Sequence, residues 1–260
     1  MKALHIAATG MKAQERNVEV ISNNVANMRT TGFKKQRADF QDLLYQNLRR
    51  MGTETSDAGT IVPTGIQIGS GVKLASTARI MSQGSLEQTG KELDVAIRGE
   101  GFFQIDLPDG TTAYTRDGSF ERDATGQLVT IDGYTVNPGI TIPEDNTDVT
   151  IANDGTIQAV DTAGNTVQLG QLQLARFVNK SGLEAIGDNL FLETDASGAA
   201  QTGNPYADGF GSVQQYFLEM ANVDAVTEIA DLISAQRAYE MNSKVIQAAD
   251  DMYSTTTNLR

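Results

Sequence analysis

Cysteine and tryptophan are absent from the 260-residue chain, and histidine occurs once. Without cysteine there can be no disulfide, thiolate metal site or Cys nucleophile, and a lone His5 leaves zinc almost no ligands. A Ser-His-Asp triad would hang on His5 at the start of a helix, so His5 reads as a surface or interface residue. Aromatics make up only 6% of the chain, so a core is expected to rest on Val, Ile, Leu and Ala. No run approaches the ~18 apolar residues of a membrane span, and direct membrane insertion is not expected. The opening "MKALHIAATGMKAQER" has His5, Gly10 and Lys12 where a secretory signal needs an unbroken apolar stretch. Export, if it occurs, is expected by a route without a cleaved signal peptide.

Positive charge is scarce and unevenly placed. The net charge is −13, yet residues 1–50 carry nine Lys/Arg against four Asp/Glu, and residues 101–210 hold sixteen acids and four bases. Nucleic-acid binding requires a basic footprint, so no nucleic-acid partner is expected. The acidic middle reads as a solvated surface.

Hydrophobic periodicity separates the ends from the middle. Leu4, Met11, Val18 and Val25 recur every seven residues, with Ala7, Ile21 and Met28 between them. Leu232, Tyr239, Ile246 and Tyr253 do the same near the other end, with Ala235, Asn242 and Ala249 between them. Such stripes predict two long helices that pack together. Each stripe is narrow, so further helices from neighbouring subunits are expected. In the middle the period falls to two, and Asp123–Gly126, Asp161–Gly164 and Asp195–Gly198 share the Asp-x-x-Gly signature of a type I turn before a strand. With the Asp-Gly pairs at 109, 117, 132 and 154 they predict hairpins of an all-β domain. The fold class is therefore α+β: terminal helices paired in a coiled-coil-like layer, with an inserted β domain. Its parts are a helix over 1–30, an extended connector over 31–90, a β-rich domain over 91–210 and a helix over 211–260.

Motifs with chemistry are missing. "GSLEQTGKE" at 84–92 has the wrong glycine spacing and no Ser/Thr after its Lys for a phosphate loop. None of the Asp-Gly turns has the alternating acids and closing Glu of a calcium loop. A glycosidase carboxylate pair cannot be placed from spacing. No catalytic residue, metal or cofactor is expected.

"ISNNVANMRTTGFKK" at 21–35 crowds Asn23, Asn24 and Asn27 into the end of the first helix, although Asn is a poor helix-interior residue. This stretch resembles the N-terminal signature of the axial proteins of the bacterial flagellum, the rod, hook and hook-junction subunits. "GEGFFQIDLPDGTTAYTRDGSFERDATGQLVTIDGY" at 99–134 is similar to their central β module, and "LEMANVDAVTEIADLISAQRAYEMNSKVIQAADDM" at 218–252 to their C-terminal helix. The length, "FQDLLYQ" at 40–46, "TIVPTGIQIGSGV" at 60–72 and "LQLARFVN" at 172–179 are most similar to the distal-rod branch of the rod proteins. The family more usually has a Gln-Gly pair before Leu-Glu and a Ser before the Asn, so Gln215 and Ala221 stand out as departures.

The resemblance implies a structural subunit of the distal rod, a helical homopolymer forming a hollow tube that transmits torque to the hook and passes exported subunits. It implies proximal rod proteins, hook protein, the P- and L-ring proteins and the flagellar type III export apparatus as partners, and a place in the basal body across the periplasm. A proximal rod or hook-like paralogue, and a periplasmic peptidoglycan-acting enzyme, are the competing readings. Interface residues are then Leu4, Met11, Val18, Ile21, Asn23, Asn24, Val25, Asn27, Asn222, Leu232, Tyr239, Asn242, Ile246 and Tyr253. Two readings of the Asn residues stay open: bonds across subunits that fix register, or fraying of the helix before Gly32. A rod-specific segment over 46–71, with Tyr45, Ile61, Val62, Pro63, Ile66 and Ile68, is expected either to pack between subunits or to be a disordered linker.

Overall fold

The computed structural model describes residues 2–49, 51, 64–143, 146–162, 165–207 and 209–258, and the chain divides into two compact units. The first comprises Met1–Val25, Gln36–Ala78 and Ala225–Arg260; the second comprises Ala26–Lys35 and Arg79–Asp224. Long terminal helices and a strand-rich insertion agree with the expected α+β class. Residues 31–90, expected as an extended connector with a rod-specific segment, contribute strands to both units.

The helical unit is built on α1 (Lys2–Ala26) and α2 (Ala225–Asn258). Small residues form the contact faces: Ala7 and Ala13 of α1 are buried with Ile21, as are Ala235 and Ala249 of α2. Small side chains permit a short interaxial distance. A Cβ placed on Gly10 would lie 3.0 Å from the Asn242 amide, and Asn24 Nδ2 donates to Glu228 Oε2 at 3.1 Å. These two contacts are equally spaced along both helices but run in opposite order, so the helices are antiparallel. Alongside them lie β1 (Gln36–Asp42), β2 (Gln46–Arg49), β3 (Ile66–Ile68) and β4 (Val72–Arg79), paired as β1 with β4 and β2 with β3.

The β-rich unit continues with β5 (Leu86–Gln88), β6 (Val95–Arg98), β7 (Phe102–Asp106), β8 (Thr112–Thr115), β9 (Phe120–Arg122), β10 (Leu128–Thr130) and β11 (Thr135–Val136). β12 (Asn146–Ile151), β13 (Thr156–Asp161), β14 (Thr166–Gln171), β15 (Leu174–Arg176), β16 (Glu184–Gly187), β17 (Leu190–Leu192), β18 (Gln201–Gly203), β19 (Ser212–Gln215) and β20 (Phe217–Glu219) follow. The largest sheet runs β16-β17-β8-β7-β11-β10-β9, with β15 joining β7 to β18; β12, β13 and β14 form a separate meander. The last two strands return to early ones, β19 to β6 and β20 to β5.

Period two on β7 divides the core. Phe103 and Ile105 enter a cluster with Leu128, Ile142 and Ile157, while Phe102 enters a second with Tyr114, Phe177 and Phe191. Phe103 meets Phe120 edge-on at 5.1 Å between centroids, and Tyr114 meets Phe177 at 4.7 Å, geometries favoured by the ring quadrupole. As expected, the core rests chiefly on Val, Ile, Leu and Ala, and the few aromatics concentrate in this unit, where Phe102, Phe103, Phe120, Phe177 and Phe191 are all buried.

The Asp-x-x-Gly turns behave unequally. Asp123–Gly126 closes β9 onto β10 through Gly126 N to Asp123 O at 3.0 Å, with Gly126 at φ +81°. The turn expected at Asp161–Gly164 includes residues outside the described ones, and its flanks β13 and β14 do pair. Asp195–Gly198 is not a hairpin: it links β17 to β18, which pair with other strands. Here Thr194 and Ser197 govern the turn. Thr194 O accepts from Ser197 N at 3.0 Å, and Thr194 Oγ1 accepts from the Ala196 and Ser197 amides at 3.2 Å.

Candidate functional site

The Asn-rich end of α1 is a structural joint. Asn24 is 2% exposed; its Nδ2 donates to Gln36 O at 2.8 Å and its Oδ1 accepts from Gln36 N at 2.9 Å. The side-chain amide therefore bonds the first residue of β1 as a neighbouring strand would. Its third contact, Glu228, lies buried in the first turn of α2, where a negative charge is favoured by the helix dipole.

Beyond α1 the chain makes a turn, with Thr30 N donating to Asn27 O at 3.1 Å. Thr31 Oγ1 donates to Asp117 Oδ2 at 2.8 Å, and Asn189 Nδ2 donates to Thr31 O at 2.9 Å. Gly32, at φ +67°, packs so closely that a Cβ would lie 2.6 Å from Asp117 N. A glycine is needed there for both reasons.

Two residues later Lys34 is 1% exposed. Its ammonium bonds Glu219 Oε1 and donates to Ser82 O at 2.7 Å. The other Glu219 oxygen accepts from Arg116 Nη1 at 3.1 Å, and Gly84 N donates to Oε1 at 2.9 Å. Arg116 also donates to Gly99 O at 2.7 Å and lies over the Phe102 ring. Burial lowers the proton affinity of both Lys34 and Arg116, with Glu219 opposing that shift. This triad was not legible as a site.

The expected subunit-bridging asparagines divide. Asn24 and Asn222 have their amides engaged within the chain: Asn222 Oδ1 accepts from Lys35 N at 2.8 Å, and its Nδ2 donates to Ile80 O at 2.8 Å and Ser82 Oγ at 3.0 Å. Asn27, half-buried, also accepts from Thr30 Oγ1 at 3.2 Å, while Asn23 is exposed and Asn242 half-buried. Of the two departures, Ala221 is buried, and Gln215 bridges Ile151 N, Glu92 O and Val149 O. The conformation that favours glycine falls instead on Tyr216, at φ +65°.

On the helical stripes Ile21 is buried, and Leu4, Met11, Val18, Val25, Leu232 and Ile246 are half-buried. Tyr239 and Tyr253 are exposed, as are Ile229, Ile233, Met241 and Val245 on α2. A second apolar surface surrounds the β2–β3 hairpin, where Leu44, Tyr45, Leu48, Met51 and Ile66 are exposed, Leu44 at 89%. Ile68 is half-buried; Ile61, Val62 and Pro63 lie outside the described residues. Among the described residues no group of His, Cys, Asp or Glu could hold a metal, and no helix is long and apolar enough to cross a membrane.

Three family descriptions match the chain: flagella basal body rod protein over residues 4–34, flagellar hook protein FlgE/F/G D1 domain over 96–159, and flagellar basal body rod FlgEFG protein C-terminal over 214–259. The flagellar basal-body rod protein FlgG of Caulobacter vibrioides is 58% identical over 100% of both chains. That of Agrobacterium fabrum is 54% identical over 98% of this chain and 97% of its own. That of Bacillus subtilis is 40% identical over 100% of this chain and 99% of its own. Identity of this order over the whole length means that the chain belongs to the FlgG family of flagellar basal-body rod proteins.

Proposed function

We propose that the chain is a structural subunit of the flagellar distal rod, polymerising helically into a hollow tube that transmits torque from motor to hook and passes exported subunits. The observation that carries this reading beyond the family is the apolar surface left on the helical unit. Ile229, Ile233, Met241 and Val245 of α2, and Leu44, Leu48 and Ile66 around the hairpin, are all exposed. Exposed apolar surface of this kind marks an association site, and a two-stranded hairpin is at best marginal alone. A heterologous contact that does not close into a ring generates a helical filament from one repeated interface. Copies of the chain would cover α2 together with Leu4, Met11, Val18, Val25, Leu232, Tyr239, Ile246 and Tyr253, with Asn23, Asn27 and Asn242 as register residues. The segment 46–71 would pack between subunits. Proximal rod proteins, hook protein and the P- and L-ring proteins would adjoin the tube, after export without a cleaved signal peptide through the type III apparatus.

The test replaces Ile229 and Ile233 together by Glu. The purified variant should keep the wild-type monomer circular dichroism yet form no filaments by electron microscopy, and cells carrying it should build basal bodies that stop short of the hook. Normal filaments and motility would reject α2 as an assembly surface.

A further inference from the structure

We propose that Lys34, Arg116 and Glu219 form a latch that delays closure of the β-rich unit until the C-terminal end of that unit arrives. The three ionised side chains come from distant stretches of sequence, and each is at least nine-tenths buried. Glu219 accepts from Lys34, Gly84 and Arg116 through its two carboxylate oxygens, and its backbone oxygen accepts from Gly32 N at 2.7 Å.

Chain order gives the arrangement its direction. Lys34 and Arg116 are made first and Glu219 last, and the strands that end on Glu219 complete two ladders, β19 on β6 and β20 on β5. Before Glu219 is present, closing β7 and β8 around Arg116, with Lys34 in its own place, would enclose two cations whose remaining hydrogen-bond partners among the described residues are the neutral oxygens of Ser82 and Gly99. Burying unpaired charge is strongly unfavourable. Glu100 also attracts Arg116, but it is half-exposed, pairs with Lys180 and hydrogen-bonds neither cation among the described residues. With Glu219 in place both cations face a carboxylate, and Arg116 Nε is the one nitrogen of the pair left without a hydrogen bond among the described residues.

Stability alone does not require this triad. Buried ion pairs can often be replaced by apolar residues of similar volume with no loss of stability. What the ions add is dependence of one end on the other. The use of that dependence rests on the rod reading: a chain growing from its N-terminus stays open until residue 219 of 260, and so remains threadable into an export conduit.

The test is pulse-labelling hydrogen exchange during refolding of the full-length chain, comparing wild type with a Lys34→Met/Arg116→Met/Glu219→Met variant. In wild type, amides of β7 and β8 should become protected in the same phase as those of β20. In the triple variant β7 and β8 should become protected first, at a rate roughly tenfold higher than β20, since a buried charge no longer opposes their closure. Protection of β7 and β8 before β20 in wild type would overturn the latch, as would an unchanged order in the variant. Should the triple variant not fold, Lys34→Met carries the comparison, because it leaves a single cation and should also advance β7 and β8. Refolding of monomer involves neither export nor polymerisation, so the latch and the rod reading fail independently.

Discussion

Asn24 and Gln36 are joined by two hydrogen bonds of 2.8 and 2.9 Å, formed between one side-chain amide and the backbone C=O and N–H of a single residue. The end of α1 is thereby fixed to the start of β1, and Glu228 fixes it to α2. Replacing Asn24 by Ala should cost the monomer about 2–4 kcal/mol, since the backbone groups of Gln36 and the carboxylate of Glu228 each lose a hydrogen bond. Asn24→Asp should cost more, because it removes the donors and sets a second carboxylate beside Glu228. Urea unfolding of the monomer measures both. Unchanged monomer stability with lost polymerisation would return Asn24 to a role between subunits.

Gly32 and Gly110 separate two reasons for glycine. Both have positive φ, but a Cβ on Gly32 would strike the Asp117 backbone whereas one on Gly110 would meet open space. Gly110→Ala should cost about 1 kcal/mol from backbone conformation alone. Gly32→Ala should cost at least about 3 kcal/mol, because backbone must also move. Equal costs by thermal unfolding would show that the close approach relaxes freely.

Acid should weaken the hairpins in a defined direction. The Asp109 and Asp123 carboxylates accept from the hydroxyls and amides of Thr111 and Thr125, chiefly the hydroxyls, and the Asp154 carboxylate accepts chiefly from the Thr156 amide. All three titrate below the ordinary value of 3.8. A folded-state pKa below the unfolded one contributes stability above the unfolded value, and that contribution disappears as pH falls through the folded value. The stability difference between wild type and an Asp109→Asn/Asp123→Asn/Asp154→Asn variant should therefore be largest above pH 3.8 and shrink below it. A difference independent of pH would rule out the carboxylate charge as its source.

Sequence conveyed what is local and periodic. Sevenfold recurrence marked α1 and α2, because a stripe of Ala and aliphatic residues has one geometric meaning, and it implied their pairing. The Asp123–Gly126 turn was legible because the Asp and Gly determine it themselves. The Asp195–Gly198 hairpin was misread because Thr194 and Ser197 take over the same backbone groups. Lys34 and Glu219 are 185 residues apart, and no local pattern joins such a pair. The available signal was a lone carboxylate in the apolar run "YFLEMANV", which a solvated reading of charge passes over. Likewise the asparagines looked like candidates for intersubunit bonds because sequence cannot show that Gln36 and Lys35 return to meet Asn24 and Asn222.

Tyr216 tests whether the bend before β20 is held by its neighbours rather than by its own preference. The residue sits at φ +65°, a region in which a bulky side chain is strained. Its N–H donates to Asp94 O at 2.8 Å and its carbonyl accepts from Thr89 N at 2.7 Å, so the ladder on both sides imposes the conformation. Tyr216→Ala and Tyr216→Gly lose the same ring contacts but differ in tolerance of positive φ. The Gly variant should be more stable than the Ala variant by about 1 kcal/mol, despite glycine's greater entropy in the unfolded chain. Chemical denaturation of the pair gives this difference directly. A more stable Ala variant would mean that the bend relaxes out of the left-handed region once the ring is removed, and that the ring itself holds residue 216 there.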